Sequence, residues 1–358
     1  MKNWRSLTRT TVVYILMVAI LLISIVMTIS IGSSKIPVRD VYGILVDQIK
    51  ALLSGQGVGA GEWPTAQFQI VWNIRLPRVL FGTLCGMGLS LCGTAMQALV
   101  LNPIADPYIL GISSGASAGA AWALLMPLPW FAGQYQVPFV AMLGALLASA
   151  CVYTMARLGG GGQIRPVTLL LAGTAINAVM SAITSFLIFL AKSPESIAAV
   201  YNWQMGSIAA AQWTSLKFPL VGVILGLIVF TMTGRRFNLL MMGDEDALSM
   251  GVNVKAFRTV MFAVCSVIVA CMVSVTGIIG FVGLIVPHVA RMLSGTSDNR
   301  VIFPQSALLG GTFLIWCDAG ARGLFGGAEL PLGIITAFLG APFFLYLLIR
   351  KSYGGGRA

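Results

Sequence analysis

The run Val12-Val-Tyr-Ile-Leu-Met-Val-Ala-Ile-Leu-Leu-Ile-Ser-Ile-Val-Met-Thr-Ile-Ser-Ile31 contains no charged residue and no proline. About 20 predominantly apolar residues are enough for an α-helix to cross the hydrocarbon core of a bilayer. The run follows the basic residues Lys2, Arg5 and Arg9, a start that a secretory signal peptide would share. The apolar region of a signal peptide is only about 7–15 residues long. We therefore interpret this run as an uncleaved membrane span.

The composition of the whole chain agrees with that interpretation. Of 358 residues, 58% are hydrophobic and only 9% are charged, whereas soluble domains carry roughly 25% charged residues. This balance excludes a soluble domain, a disordered chain, a collagen and a disulfide scaffold. All six cysteines lie in apolar stretches and none forms a C-x-x-C pair, which favours a packing role for them.

The sequence predicts an all-α integral membrane protein with ten spans in a single domain, residues 1–358. Ser33–Arg75 is the only long polar connection and is expected to form an outer loop, 33–75. The longest inner loop is 234–256, and Pro194–Ala211 is expected to form a partial helix at the outer surface. After the span at 12–31, the other nine are predicted near 76–100, 108–126, 136–157, 166–191, 213–233, 255–276, 281–294, 304–321 and 331–349.

The basic residues predict the orientation of these spans. The net charge is +11, and with the N-terminus inside, the inner segments hold 14 of the 22 lysines and arginines, against 8 outside. Five of those eight belong to the long outer loop or its edge. The positive-inside rule therefore places both termini in the cytoplasm. Because the basic residues collect at span ends, they indicate topology and not a nucleic-acid partner.

The polar residues exclude several functions. No acidic residue interrupts the middle of a predicted span, which counts against an ion-coupled carrier because such a carrier usually needs a carboxylate near the midplane. His288 is the only histidine, so no histidine-based metal site or zinc protease motif can form, and no catalytic set is evident. The sequence also has no Walker A loop. Any energy must therefore come from an ion gradient or from another chain.

The inner loop contains one distinctive segment, Gly243–Val254. Its acids Asp244, Glu245 and Asp246 precede Ala247-Leu248, which places them at the N-terminus of a short helix, where the helix dipole stabilises them. Gly251 is expected to end this helix before a turn at Val252-Asn253-Val254. A short rigid helix here would suit contact with a cytoplasmic partner, although an ordinary connecting loop explains the pattern equally well.

Several sequence blocks resemble the FecCD-type permeases, which belong to ATP-driven importers of iron–siderophore complexes, haem and vitamin B12. The blocks extend over nearly the whole chain in the expected order: Arg75–Arg78, Met96–Pro107 running into Gly111–Ala116, Gly243–Val254, Gly280–Arg291, Glu329–Gly333 and Gly340–Phe344. The resemblance implies the fold of the vitamin B12 importer permease, a type II ABC importer, with about ten helices in each subunit.

The resemblance also implies the partners. A second permease subunit, most simply a second copy, two cytoplasmic ATPase subunits and an extracytoplasmic substrate-binding protein would assemble around this chain in a bacterial cytoplasmic membrane. The chain itself would bind no cofactor or metal and would not be an enzyme, since ATP and Mg²⁺ would sit on the partner ATPase. Coupling to that ATPase would use Gly243, Asp244, Glu245, Asp246, Ala247, Leu248, Gly251 and Val252.

The same resemblance assigns the remaining site residues. Binding-protein docking would use Arg75, Arg78 and Arg322, because a guanidinium can hold a carboxylate in a fixed orientation; the alternative is that these arginines extend to the membrane interface. A cytoplasmic gate is expected at the two turns Asn102-Pro103-Ile104 and Pro166-Val167-Thr168. Polar residues that could line the path, or equally join helices, are Thr174, Asn177, Ser181, Thr184 and Ser185. A ferric siderophore is the expected cargo, with haem or cobalamin as alternatives, and a gradient-driven carrier is the rival function.

Overall fold

The computed structural model describes residues 2–32, 34–55, 57–59, 61–126, 133, 135–324 and 329–354. The ends of the predicted domain, and residues 33, 56 and 60 of the predicted outer loop, lie outside these ranges. Every regular element in the described part is helical, which confirms the predicted all-α class.

Fourteen α-helices follow one another along the described chain, and shorter helical segments join some of them. A π-helical segment, Gln69–Arg75, connects α3 to α4, and 3₁₀ turns at Pro107–Leu110 and Trp213–Leu216 precede α5 and α9. The α-helices are α1 Lys2–Ser30, α2 Val38–Leu53, α3 Thr65–Phe68, α4 Leu76–Leu99, α5 Ile112–Leu125, α6 Gln136–Gly159, α7 Pro166–Phe189, α8 Pro194–Gln204, α9 Lys217–Leu240, α10 Asp244–Ser249, α11 Val254–Thr276, α12 Val282–Ser294, α13 Asn299–Gly323 and α14 Leu332–Gly354.

Seven helical segments of the described chain are long and apolar enough to cross a membrane: Thr11–Ser30, Thr65–Leu99, Gln136–Gly159, Pro166–Phe189, Trp213–Leu240, Val254–Thr276 and Asn299–Gly323. Three shorter apolar helices, Ile112–Leu125, Val282–Ser294 and Leu332–Leu347, accompany them. Each of the ten predicted spans coincides with one of these segments. The predicted partial helix after the fifth span is α8.

Two predicted loops are shorter than expected. The predicted outer loop 33–75 contains α2, and the helix that becomes α4 starts already at Thr65, directly after Pro64. The predicted inner loop 234–256 is helical up to Leu240. The charges of Arg235 and Arg236 indicated a span end there, but α9 continues because Phe237 and Leu240 are completely buried in the core.

Helix α4 lies at the centre of the bundle, and 83% of the apolar window in its continuous helix is buried, the largest fraction among the candidate spans. Glycine pairs let other helices approach its backbone: Gly86 faces Gly310 of α13, and Gly93 faces Gly283 of α12. A Cβ atom at Gly86 would overlap the Gly310 carbonyl. Small residues at such contacts are typical of helix packing in membranes.

Candidate functional site

The segment between α9 and α11 forms the predicted short helix. Helix α10 runs from Asp244 to Ser249, its first turn holds all three acids, and Gly243 precedes it with φ 125°. Gly251, at φ 84°, lies just beyond the helix. Ala247 is completely buried, whereas Leu248 is 57% exposed. The helix therefore holds to the bundle by one face and presents an apolar side chain on the other.

Arg258 of α11 fixes α10 to the bundle. Its two terminal nitrogens donate to the carboxylate of Asp244 at 2.6 and 2.9 Å. Its Nε donates to the carbonyl oxygen of Leu99, the last residue of α4, at 3.2 Å. Only 4% of Arg258 is exposed. From the sequence, Arg258 was predicted only as one of the 14 inner basic residues. Its place inside the span predicted near 255–276 was the available signal that it needed a buried partner.

The connection after α4 forms the first predicted gate turn. Leu101 has a positive φ of 54°, and the amide of Asn102 donates back to the Gln97 carbonyl at 3.1 Å. The side chain of Asn102 accepts from the Ile104 amide at 3.2 Å. These bonds make the Asn102-Pro103-Ile104 segment a compact turn.

Asp106 closes this connection. Its side chain accepts from the Tyr108 amide at 2.8 Å and caps the 3₁₀ turn that leads into α5. Burial raises the pKa of the Asp106 carboxyl to about 6, because removal from water disfavours the charged form.

The second predicted gate segment is not a connecting turn. Pro166, Val167 and Thr168 form the first turn of α7, and the connection itself is the segment 160–165 with Gly161 and Gly162 at positive φ. Proline suits the first helical position because its missing N–H would have no partner there. Pro166 therefore marks the start of α7, and the turn itself lies a few residues earlier in the chain.

The five predicted lining residues divide into two groups on α7. Thr174, Ser181 and Ser185 are exposed on the helix surface. Thr184 is buried and donates to the Met180 carbonyl, and Asn177 accepts at 2.6 Å from Ser114 of α5. Only 17% of the apolar window of α7 is buried, the lowest fraction among the candidate spans. The exposed face of α7 thus carries a hydroxyl stripe, formed by Thr174, Ser181 and Ser185. Asn177 instead bonds α7 to α5, and Thr184 bonds within α7.

The three predicted docking arginines come together where α1 ends and α4 begins. Arg75 donates to the carbonyls of Ile29 at 2.9 Å and Ser34 at 2.5 Å. Arg322 donates to the carbonyls of Thr28 at 3.0 Å and Ile31 at 2.6 Å. Both arginines thereby hold the end of α1 and the following segment against the bundle.

Two carboxylates complete this cluster. Asp318 is 1% exposed and accepts from Arg78 at 2.8 Å and from Arg322 at 3.0 Å. Glu329 is half-exposed and accepts from Arg78 at 2.9 Å. The side chains of Arg78 and Arg322 are only 7% and 4% exposed. The guanidinium groups of Arg78 and Arg322 are therefore paired inside the chain. This pairing was not predicted from the sequence, where the resemblance placed both residues in contact with a binding protein.

The described residues contain no group of three or more histidines, cysteines, aspartates or glutamates that could hold a metal ion. Their six cysteines are all unpaired thiols, and four of them are buried. The chemistry that these clusters offer is ion pairing and hydrogen bonding between helices.

Comparisons with known proteins match nearly the whole chain. The model of the FecCD transport family matches residues 20–350. The uncharacterized ABC transporter permease protein YvrB of Bacillus subtilis is 37% identical over 96% of this chain and 94% of its own. The cobalamin import permease BtuC of Halobacterium salinarum is 43% identical over 79% of this chain and 74% of its own. The hemin transport permease HmuU of Yersinia pestis is 38% identical over 81% of this chain and 87% of its own.

A solved structure shares the fold. It is described as an inward-facing conformation of a metal-chelate type ABC transporter, and it superposes with a TM-score of 0.73 at 29% identity. The match covers 87% of this chain and 99% of that chain.

Proposed function

This chain belongs to the FecCD transport family, and we propose that it is the membrane-spanning permease subunit of an ATP-driven importer for a bulky metal chelate. The observation that carries the proposal is the match of family and relatives across almost the full chain, because two of those relatives are permeases for cobalamin and hemin. Both cargoes are large metal chelates. A ferric siderophore, which shares that chemistry, is the first cargo to test.

An ATPase subunit would supply the energy and bind ATP and Mg²⁺, while this chain would do no hydrolysis. Support for its position comes from α10 and the residue that follows it: Leu248 of the helix is 57% exposed, Met250 just after it is 59% exposed, and three acidic residues lie beside them. Exposed apolar side chains on a short, anchored helix suit a pocket on a partner protein. Coupling would therefore occur on α10 and the residues that flank it, at Gly243, Asp244, Glu245, Asp246, Ala247, Leu248, Gly251 and Val252.

A second copy of the chain would complete the transport path. The hydroxyl stripe Thr174, Ser181 and Ser185 lies on the most exposed candidate span, and polar residues on spans usually face a partner or a water-filled cavity. Two α7 helices facing each other would place both stripes along a shared path. The turn at Asn102–Ile104 and the start of α7 at Pro166–Thr168 would narrow its cytoplasmic end.

A substrate-binding protein would dock at the opposite end, where Arg75, Arg78 and Arg322 cluster. Since these arginines are already paired, a partner carboxylate could reach Arg78 only where it now meets half-exposed Glu329. This arrangement requires both termini in the cytoplasm of a bacterial inner membrane, as the distribution of basic residues predicts.

The ATPase contact can be tested by copurification. We expect Leu248→Asp to abolish recovery of the ATPase subunits from host membranes, because a charge would enter the apolar contact. Leu53→Asp is the matched control, since Leu53 of α2 is 84% exposed on the predicted outer side. Equal ATPase recovery with both variants would contradict the role of α10. Cargo uptake by the chain alone under an ion gradient would instead favour the secondary carrier.

A further inference from the structure

We propose that Arg258 is a positioning residue that connects α10 mechanically to the gate turn after α4. The proposal rests on the proposed function, in which the ATPase displaces α10. In this view Arg258 converts that displacement into movement of the end of α4 and of the Asn102–Ile104 turn. Neither the predicted coupling residues nor the predicted gate residues include it.

The first step of the connection is the contact between Arg258 and α10. Two parallel hydrogen bonds to the Asp244 carboxylate, at 2.6 and 2.9 Å, fix both the distance and the orientation of the pair. The Arg258 side chain is 5% exposed, whereas the Asp244 side chain is 46% exposed. The arginine thus lies in the bundle and holds the first residue of the surface helix.

The second step is the contact with α4. The Nε atom of the same guanidinium donates to the Leu99 carbonyl, one of the last carbonyls of a helix that have no partner within it. A cation at this position also interacts favourably with the helix dipole. Because the guanidinium is planar and rigid, one side chain holds both Asp244 and Leu99, and we expect a displacement of one to move the other.

The third step carries movement into the turn. Leu101, two residues beyond Leu99, adopts φ 54°, a conformation that disfavours side chains with a Cβ atom. The Asn102 amide is bonded to the carbonyl of Gln97 on the last turn of α4. The Gln97 side chain is in turn held by Arg291 of α12 at 2.6 Å. The turn is therefore tied to the end of α4, and the end of α4 is tied to both α10 and α12.

Another arginine–aspartate pair of the same region provides the comparison. Arg300 and Asp298 pair at 2.7 Å, with Arg300 61% exposed. The two residues are two positions apart at the start of α13, so their pair connects no separate elements. If the loss of any arginine–aspartate pair in this region impaired transport, substitutions at Arg258 and at Arg300 would have the same effect.

The experiment uses the full complex of permease, ATPase and binding protein in proteoliposomes, with a ferric siderophore as the probe. Arg258→Lys retains the charge but loses the planar fork. We expect cargo moved per ATP hydrolysed to fall at least about tenfold while the complex still assembles; tenfold corresponds to about 1.4 kcal/mol, near the low end for hydrogen bonds to charged groups. Arg300→Lys should leave the ratio unchanged. Asp244→Asn, which keeps an acceptor oxygen without the charge, should lower the ratio in the same direction.

Amide hydrogen exchange distinguishes whether Arg258 transmits movement from α10 to the gate turn or only stabilises the fold. When vanadate traps the nucleotide on the ATPase, the wild type should show altered amide exchange in both α10 and residues 100–106. Arg258→Lys should still show the change in α10 but not the change in residues 100–106. If Arg258→Lys kept the wild-type ratio of cargo moved to ATP hydrolysed and the wild-type change in exchange at residues 100–106, the proposed role of Arg258 would be wrong. If Arg258→Lys does not assemble, Asp244→Asn decides by the same two measurements. A wild-type complex that moves no cargo with ATP would overturn the proposed function instead.

Discussion

Replacing Asp318 by Asn should destabilise the chain far more than replacing Glu329 by Gln. The Asp318 carboxylate is 1% exposed and neutralises two buried guanidinium groups, at 2.8 Å to Arg78 and 3.0 Å to Arg322. The variant leaves Arg322 buried without a carboxylate partner, and it leaves Arg78 with only half-exposed Glu329. Removing one partner of a buried ion pair costs about 3–5 kcal/mol. Because Asn keeps an oxygen, we expect a loss of about 3 kcal/mol in the free energy of unfolding.

Glu329→Gln is the matched control, because it removes a carboxylate from the same arginine at 2.9 Å but at a half-exposed position. Exposed ion pairs contribute only about 0–1 kcal/mol. The assay is equilibrium unfolding of both variants in the same mixed micelles, followed by tryptophan fluorescence. If the two variants lost equal stability, or if Asp318→Asn were neutral, the buried cluster would not hold α1 and α13 to α4, and this account of the arginines would be wrong.

Three further predictions concern other parts of the chain. The free energy of unfolding should fall as the pH rises from about 4 to 6, because burial raises the pKa of Asp106 to about 6 from about 3.9 in an unfolded chain; Asp106→Asn should flatten this part of a measured pH–stability profile. Gly86→Ala should cost about 1–3 kcal/mol in denaturant unfolding because its Cβ would overlap a backbone carbonyl, whereas Gly159→Ala has open space and should be neutral or stabilising. Ala247→Pro removes the amide that bonds the Gly243 carbonyl and should abolish ATPase recovery by copurification; normal recovery would contradict a structured α10 at the contact.

The spans could be predicted because hydropathy over about 20 residues reports directly on burial in a bilayer. Their ends could not be placed where helices extend beyond the apolar stretch. The helix before α4 starts at Thr65, inside a polar segment, and α9 passes two arginines to reach Leu240. In each case buried side chains, such as Phe68 and Phe237, extend the helix through contacts that a hydropathy window does not detect.

The site residues show the same division. The resemblance assigned Arg78 and Arg322 to docking. Asp318 lies four residues before Arg322 on α13, a spacing that could have indicated this pair. Asp318 is 240 positions from Arg78 in sequence, and no local pattern joins those two. Arg258 was overlooked because neither of its partners is a close neighbour in sequence. Asp244 is 14 positions away on α10, and Leu99 is 159 positions away at the end of α4. The acids of α10 were recognised because helix-terminus preferences act within one turn. The same kind of signal was misassigned at Pro166, which was predicted as part of a turn although it is the first residue of α7.

Uptake into proteoliposomes shows whether ATP or an ion gradient drives transport by this protein. The complex purified from host membranes is reconstituted into proteoliposomes. The binding protein and a radiolabelled ferric siderophore are added on the face opposite the ATPase, and ATP or an ion gradient is supplied in separate experiments. We expect the siderophore to accumulate only with ATP, Mg²⁺ and the binding protein, and not under a proton or sodium gradient alone. Accumulation by the chain alone under an ion gradient, with no response to ATP, would contradict this expectation.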